Sequence, residues 1–206
     1  MPNSSEIIAH IDGGSRGNPG PAAFGVAIET VTGEPITAFG KYIGRTTNNV
    51  AEYNGLLAAL EFALSHEHPR LRVLTDSELM AHQINGRYKV RSPDLKPLFD
   101  KAKGLISRLE SFSIRHVYRE ENREADRLAN QAMDDAASGK APREPPPLNP
   151  KIMAPAPHAA SPEISKTVAK NSQSAAATIH EGAIHSRTQL PLFDAEEADG
   201  QIHRKK

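Results

Sequence analysis

Residues 7–43 read IIAHIDGGSRGNPGPAAFGVAIETVTGEPITAFGKYI, and this stretch decides the fold because it predicts three consecutive strands. Ile7 to Asp12 is a short apolar-rich strand, and the turn of residues 13–20, rich in glycine, follows it. The segments Phe24–Ile28 and Ile36–Ile43 flank a turn at Thr32-Gly33-Glu34. That turn predicts a hairpin, so we expect the sheet to begin as an antiparallel one.

The region that follows, up to residue 137, predicts helices separated by two further strands. Apolar residues recur at helical spacing after Asn48, and the Ser92-Pro93 pair separates two later helices. The predicted elements are a helix over Asn48–Ser65, a strand over Leu71–Thr75, a helix from near Ser77, a helix over Asp94–Leu109, a strand over Phe112–Tyr118 and a helix over Glu124–Ala137. The order β-β-β-α-β-α-α-β-α predicts an α/β fold, a mixed sheet with helices on its faces.

Composition narrows the class of protein. The chain has no cysteine, which excludes disulfides and cysteine metal sites and fits a reducing compartment. The opening MPNSSEIIAHID lacks a basic region followed by an apolar core, so we expect no signal peptide. No apolar run approaches the roughly 20 residues that cross a bilayer. We therefore expect a cytoplasmic protein, monomeric and with no membrane association.

The character of the sequence changes at about Ser138. Prolines and then alanines and serines dominate, and few apolar residues are available to offset the entropy of ordering. We therefore expect a domain over residues 6–137 and a disordered Pro/Ala-rich tail over residues 138–206. The prolines of its first part are Pro142, Pro145, Pro146, Pro147, Pro150, Pro155, Pro157 and Pro162.

Four acidic residues in four separate segments are the strongest functional signal: Asp12, Glu52, Asp76 and Asp126. Asp12 closes the first predicted strand and Asp76 the predicted central strand, and the carboxyl ends of neighbouring strands meet at one sheet edge. Glu52 and Asp126 are each expected in the first turn of a helix. Taken singly, a surface charge explains Glu52 and helix capping explains Asp126. Together they predict a divalent-metal site, because converging carboxylates repel each other unless a cation holds them.

The segments around these acids carry a resemblance to a known family. They are Asp12-Gly13-Gly14-Ser15-Arg16-Gly17-Asn18-Pro19-Gly20, Thr46-Thr47-Asn48-Asn49-Val50-Ala51-Glu52, Thr75-Asp76-Ser77 and Arg119-Glu120-Glu121-Asn122-Arg123-Glu124-Ala125-Asp126-Arg127-Leu128-Ala129-Asn130. In this order and spacing they closely resemble ribonuclease H type I over about residues 6–137. The resemblance implies a mixed five-stranded sheet. It also implies a sequence-nonspecific endonuclease that hydrolyses the RNA strand of RNA–DNA hybrids and leaves 5′-phosphate and 3′-hydroxyl ends.

The same resemblance implies roles for individual residues. Asp12 would bridge two Mg²⁺ or Mn²⁺ ions, with Glu52 and Asp76 supporting the first ion and Asp126 the second. One ion would activate the attacking water and the other would stabilise the departing 3′-oxygen. The implied substrate contacts are Asn18, Asn48 and the backbone near Gly14 and Gln83 in the minor groove, Thr47 at a DNA-strand phosphate, and Arg119 in product or phosphate handling.

Three features depart from the family pattern. Many relatives carry glutamine where this chain has Glu78, and we favour a solvent-facing side chain there. The long basic loop of some bacterial relatives is absent, and a modest basic patch of Arg87, Lys89, Arg91 and Lys96 stands in its place. His116 has the spacing of the proton-shuttling histidine but falls inside a predicted strand, where a histidine is more often structural. His116 is therefore either a proton-shuttling residue or a structural one, and the sequence leaves both hypotheses open.

The tail contains one apolar segment, Gln189-Leu190-Pro191-Leu192-Phe193. It resembles the bacterial sliding-clamp-binding pentapeptide, and the alternative is a chance apolar cluster. In the resemblance Gln189 hydrogen-bonds at the rim of a pocket that Leu192 and Phe193 fill, with Leu190 beside them. A tether of this kind would raise the concentration of a weakly binding nuclease at replicated DNA.

Weak unaided binding is itself an expectation, because residues 1–140 hold 17 Lys/Arg against 18 Asp/Glu. Three alternatives to the leading interpretation remain. A close variant also cuts double-stranded RNA. A noncatalytic module would bind hybrids and use the tail as an adaptor, although the presence of all four carboxylates argues against it. A nuclease of the wider integrase or exonuclease superfamily fits the Thr-Thr-Asn-Asn segment less well.

Overall fold

The computed structural model describes residues 6–140 and 146–147. The elements within them follow the predicted order. They are β1 (Glu6–Ser15), β2 (Gly20–Thr30), β3 (Pro35–Thr46), α1 (Asn48–Ser65), β4 (Arg70–Thr75), α2 (Glu78–Ile84), α3 (Lys96–Ile106), β5 (Ser111–His116) and α4 (Arg123–Ala137), with a 3-10 turn at Arg119–Glu121 between β5 and α4.

The five strands form one mixed sheet in the order β3-β2-β1-β4-β5. β1, β2 and β3 pair antiparallel, whereas β4 runs parallel to β1 and β5 runs parallel to β4. This arrangement confirms the predicted α/β class and the mixed five-stranded sheet. The expectation that Asp76 closes the central strand is wrong, because the central strand is β1 and Asp76 follows its neighbour β4.

The first strand is longer than predicted. Antiparallel pairing with β2 continues past Asp12, which lies opposite Gly25, as far as Ser15 opposite Ala22. Asp12 therefore lies within β1 instead of closing it, and the turn is confined to the residues between Ser15 and Gly20. The cause is the partner strand, which continues to supply backbone hydrogen bonds through the two glycines.

Helices cover both faces of the sheet. On one face Ile7, Ala9 and Ile11 are buried in a core that includes Leu56 and Leu60 of α1. On the other face α4 packs close to the sheet backbone. A Cβ atom on Gly25 would lie 2.1 Å from the carbonyl oxygen of Ala125, so glycine is needed at this crossing. Since Gly25 is the cross-strand partner of Asp12, that carboxylate lies on the face that carries α4.

Other element boundaries also differ from prediction. The third helix runs over Lys96–Ile106 instead of Asp94–Leu109, and Pro97 lies in its first turn, where a missing backbone N–H has no cost. The last strand ends at His116 instead of Tyr118, because the chain then turns into the 3-10 segment. The helix over Asn48–Ser65 has the predicted bounds, and Thr47 caps it by accepting a hydrogen bond from the N–H of Val50 at 3.4 Å.

Within the described residues, no helix has the length and apolar character of a membrane span. Of the predicted tail, residues 138–140 and 146–147 are described, and Pro146 lies against an apolar groove that contains Phe24, Phe39 and Phe62. The segment Gln189–Phe193 lies outside the described residues.

Candidate active site

All four predicted acids line one cavity of about 300 Å³ at the edge of the sheet. Asp12 comes from β1, Glu52 from α1, Asp76 from the β4–α2 connection and Asp126 from the first turn of α4. Glu52 lies in the second turn of its helix, so the expectation of a first-turn position is wrong. Four elements that are distant in sequence thus deliver one carboxylate each to a shared space.

The parallel pairing of β1 with β4 places the first two acids side by side. The last paired residues are Ile11 and Thr75, and the next residue on each strand is an aspartate. The two carboxylates are close enough for the negative charge of Asp76 to raise the pKa of Asp12.

The carboxylate of Glu52 is held by two neighbours. Its Oε1 accepts a hydrogen bond from Nδ2 of Asn48 at 2.9 Å, and its Oε2 accepts one from Oγ of Ser77 at 2.5 Å. Close approach of α1 to β1 makes this position possible. A Cβ atom on Gly13 would lie 2.1 Å from the backbone nitrogen of Glu52, so only glycine allows the helix to pass so near the strand.

Asp126 forms an ion pair with a neighbouring cation at the cavity. Nη2 of Arg119 donates to its Oδ1 at 2.7 Å, and Nδ2 of Asn130 donates to the same oxygen at 3.2 Å. Asn130 follows Asp126 by four residues, so both side chains lie on one face of α4. The pairing raises the pKa of the Arg119 guanidinium above its usual value.

The crowding of acids changes how readily they ionise. Burial raises the pKa of Asp12 to about 7, and the negative charges of Asp76 and Asp126 add to the effect. Burial also raises the pKa of Glu52 to about 7. The hydrogen bond from Ser77 opposes this shift, the negative charge of Asp76 adds to it, and the hydrogen bond from Asn48 opposes it to a smaller extent. Both carboxyl groups therefore keep their protons to a higher pH than an ordinary carboxyl group does.

The chemistry of the donors fits a hard divalent cation, since carboxylate oxygens are the ligands that Mg²⁺ and Mn²⁺ prefer. In the described part of the chain, however, no three His, Cys, Asp or Glu side chains stand in a ready-made ligand arrangement. Strand and helix backbones fix where the carboxylates begin, whereas rotation about side-chain bonds moves their oxygens.

Comparisons with known proteins agree with this geometry. A sequence model of the family described as "Reverse transcriptase-like" matches residues 10–132. The ribonuclease H of Ruegeria pomeroyi is 31% identical over 148 residues, which cover 62% of this chain and 92% of that protein. The chain belongs to the ribonuclease H family. That family is generally metal-dependent.

Two further similarities bear on the ribonuclease H domain. The bifunctional protein Rv2228c of Mycobacterium tuberculosis is 45% identical over 137 residues, covering 66% of this chain, but the chain spans only 38% of that relative's length. The crystal structure of LC11-RNase H1 in complex with RNA/DNA hybrid is 42% identical, with a TM-score of 0.61. The match covers 64% of this chain and 99% of that one.

Some, but not all, of the residues predicted to contact a ribonuclease H substrate line the cavity. Gly14, Asn48 and Arg119 line the cavity. Asn18 is exposed beside it, and its Oδ1 accepts a hydrogen bond from the N–H of Asn48 at 3.2 Å. Thr47 serves as the cap of α1.

Gln83 and His116 do not belong to the set that lines the cavity. The side chain of Gln83 is buried and accepts a hydrogen bond from the hydroxyl of Tyr53 at 2.8 Å. His116 is exposed at the end of β5, opposite Thr75 and edge-on to Tyr118. Glu78 also stays outside the cavity and faces solvent, with its side chain 69% exposed and 3.4 Å from His82.

Sequence reasoning missed several residues at the cavity. Arg16 lines it and donates to Asp134 of α4 at 2.7 Å, and Asn130 and Met133 line it from the same helix. The spacing of Asn130 and Met133 from Asp126 places them on one helical face, which was a usable signal. The role of Arg16 had no such signal, because a cation in a glycine-rich turn is usually solvated.

Proposed function

We propose that residues 6–140 form a nuclease that hydrolyses the RNA strand of RNA–DNA hybrids with the help of divalent cations. The observation that carries the proposal is the convergence of Asp12, Glu52, Asp76 and Asp126 on one cavity. The 42% identity to a ribonuclease H that was solved with an RNA/DNA hybrid supports the choice of substrate.

The four carboxylates would hold two Mg²⁺ or Mn²⁺ ions, with Asp12 between them, Glu52 and Asp76 at one and Asp126 at the other. When bound, such ions lower the pKa of a water molecule and stabilise negative charge on a departing oxygen. Hydrolysis adds that water's oxygen to phosphorus and breaks the bond from phosphorus to the 3′-oxygen. The products are then a 5′-phosphate and a 3′-hydroxyl.

The other groups at the cavity would orient the substrate. Two arginines, Arg16 and Arg119, line it and offer positive charge to phosphates beside the acids. Asn18, Asn48 and the backbone at Gly14 would contact 2′-hydroxyl groups in the minor groove, and Thr47 beside them is the proposed contact to a DNA-strand phosphate. None of these contacts reads a base sequence, so we expect cleavage without sequence preference. We retain the Gln83 backbone and His116 as proposed contributors, although neither lines the cavity.

The test is cleavage of end-labelled RNA–DNA hybrid, DNA duplex and RNA duplex by the full chain, with and without Mg²⁺. We expect cleavage of the hybrid's RNA strand only in the presence of Mg²⁺. Asp76→Asn should lower kcat about 10³-fold, since a lost metal ligand removes roughly 4 kcal/mol of transition-state stabilisation. Glu78→Gln is the matched control, because it neutralises an exposed carboxylate two residues away and should leave kcat unchanged.

The same panel separates the alternatives. Mg²⁺-dependent cutting of the RNA duplex would establish the double-stranded RNA activity considered from the sequence. Binding of the hybrid without cleavage at any Mg²⁺ concentration would contradict the proposal and favour a noncatalytic module. Equal loss of activity in Asp76→Asn and Glu78→Gln would contradict the assignment of the cavity as the active site.

We further propose that the tail binds the bacterial sliding clamp through Gln189–Phe193. The support is the sequence pattern alone, in which Gln189, Leu190, Leu192 and Phe193 occupy the motif positions. The test is a pulldown of the full chain on immobilised clamp, with Leu192→Ala/Phe193→Ala beside Leu148→Ala as a control in the same tail. Retention should fall in the double variant alone, and unchanged retention of the double variant would remove the proposal.

A further inference from the structure

A buried asparagine, Asn122, lies where three of the four acid-bearing segments meet. It precedes α4 and is 1% exposed. Its Nδ2 donates to the carbonyl oxygen of Ile11, the residue before Asp12, at 2.9 Å. The same nitrogen is 3.4 Å from Oδ1 of Asp76. One amide group thus contacts the strand that carries the first acid and the side chain of another.

The backbone of Asn122 also forms hydrogen bonds with Asp126 and Arg119. Its carbonyl oxygen accepts a hydrogen bond from the N–H of Asp126 at 3.2 Å. Its own N–H donates to the carbonyl oxygen of Arg119 at 3.0 Å. Any shift of Asn122 would therefore move Asp126 and its ion-pair partner together, relative to β1 and Asp76.

The orientation of the amide follows from its partners. A backbone carbonyl only accepts hydrogen bonds, and an ionised carboxylate also only accepts, so the NH₂ group must face both. This leaves Oδ1 of Asn122 buried, and no donor reaches it from anywhere in residues 6–140 and 146–147. A buried acceptor without a partner is unfavourable and uncommon in proteins. Asn122 leaves this acceptor without a partner and still donates two hydrogen bonds. This arrangement indicates that the two donated bonds contribute more to the structure than a hydrogen bond to Oδ1 would.

We propose that Asn122 is a positioning residue that holds Asp76 and the start of α4 against β1, and thereby sets the spacing of the carboxylates for a divalent cation. This inference rests on the proposed function. The 2.9 Å bond to Ile11 anchors the amide, and the longer contact directs its second proton at Asp76. Groups that orient metal ligands in this way commonly change metal affinity or activity about 10- to 100-fold when they are removed.

The test compares Asn122→Ala and Asn122→Asp with the wild-type full chain. The alanine variant removes both donated bonds, and the aspartate variant keeps the shape but places an acceptor against two acceptors. We expect the Mg²⁺ concentration for half-maximal cleavage to rise, and kcat to fall, about 10- to 100-fold. KM for the hybrid should stay unchanged, because Asn122 is buried. Calorimetric titration with Mg²⁺ alone should show the same loss of affinity.

Two further variants separate positioning from folding. Asn85→Ala is the control, since Nδ2 of Asn85 donates to the carbonyl oxygen of Ile114 at 3.2 Å and so joins a helix end to a strand away from the cavity. It should lower thermal stability without changing Mg²⁺ affinity. Asn122→Ser, which keeps one hydroxyl donor, should recover part of the affinity that Asn122→Ala loses.

Wild-type Mg²⁺ affinity in Asn122→Ala would overturn the inference, and so would a wild-type chain that binds no Mg²⁺ at all. A rise in KM alone would also overturn it, because that result would indicate a substrate contact. If the wild-type chain binds Mg²⁺ but cuts no hybrid, the proposed function fails while the calorimetric comparison still decides the role of Asn122.

Discussion

At Asp12, burial and two neighbouring aspartates raise the pKa from 3.8 to about 7. A carboxyl group whose pKa is higher in the folded state stabilises the protein below its unfolded pKa. That stabilisation is lost as the pH rises through the folded value. Glu52 has a shift of the same sign, from 4.5 to about 7. The metal-free protein should therefore lose stability between about pH 4 and pH 7 from this cavity alone.

Asp12→Asn should remove the loss of stability that ionisation of Asp12 causes in the metal-free protein. In chelator at pH 8 we expect the variant's free energy of unfolding to exceed that of the wild type by on the order of 3 kcal/mol, while cleavage is lost. At pH 3, below the unfolded pKa of the Asp12 carboxyl group, the two proteins should be nearly equal in stability. Urea denaturation at both pH values measures the difference. Asp94→Asn, at an exposed site, is the control, and a destabilised Asp12→Asn at pH 8 would contradict the account.

The residue scale also shows what could be anticipated from sequence. The four acids were identifiable because each stands beside a turn or helix start with a distinctive local pattern. Asn122 belongs to the same quoted motif, but its role depends on contacts with Ile11 and Asp76, which are 111 and 46 residues away. No local periodicity encodes such contacts, so the structure was needed to find them.

At the scale of elements, the site depends on how closely α1 approaches β1. A methyl group on Gly13 would overlap the backbone of Ala51 and Glu52, at 2.3 and 2.1 Å, and backbone atoms cannot move aside locally. Gly13→Ala should therefore displace α1, lower the free energy of unfolding by about 1–3 kcal/mol and reduce kcat. Thermal melting and hybrid cleavage measure the two effects.

Gly104 provides the matched control for this prediction. It lies within α3, and nothing surrounds the position of its missing Cβ within 4 Å. Gly104→Ala should raise stability by about 0.5–1 kcal/mol, since alanine is the better helix former, and leave kcat unchanged. Equal effects of the two substitutions would show that the α1–β1 approach does not position Glu52.

The bounds of α1 and β1 differ in how well the sequence predicts them. The bounds of α1 were predicted correctly, because Thr47 supplies a cap and apolar residues fill the helix to Ser65. The end of β1 was not, because Gly13 and Gly14 are typical of turns in isolation. Only the antiparallel partner β2 keeps them in the strand. Tertiary pairing outweighed local propensity at the position that carries Asp12.

At the scale of the whole molecule, the near-neutral net charge of residues 1–140 leaves little overall electrostatic attraction for a nucleic acid. We expect hybrid affinity to be weak and salt-sensitive, with Arg16 and Arg119 among the contributors. Arg16→Ala and Arg119→Ala should each reduce the slope of log affinity against log salt by about one. Arg72→Ala is the control, since Arg72 pairs with Glu6 at the other end of β1. An unchanged slope in the first two variants would exclude phosphate contacts there.

The domain should act without most of the tail. All four acids, Asn122 and the elements that carry them lie within residues 6–140. A chain that ends at residue 150 should cut hybrid with wild-type kcat. A chain that ends at residue 140 should do the same but melt slightly earlier, because it lacks Pro146 over the groove of Phe24, Phe39 and Phe62. Loss of kcat in either truncation would place essential groups in the tail.

The most direct test of the account is to locate a divalent cation in the protein. Crystals of the full chain grown with Mn²⁺ should give anomalous scattering peaks inside the cavity, beside Asp12 and within coordinating distance of the other three carboxylates. Crystals of Asp12→Asn grown in the same way should lack them. Mn²⁺ peaks found only elsewhere on the wild-type protein, or unchanged in the variant, would contradict the claim that these four acids form a metal-dependent active site.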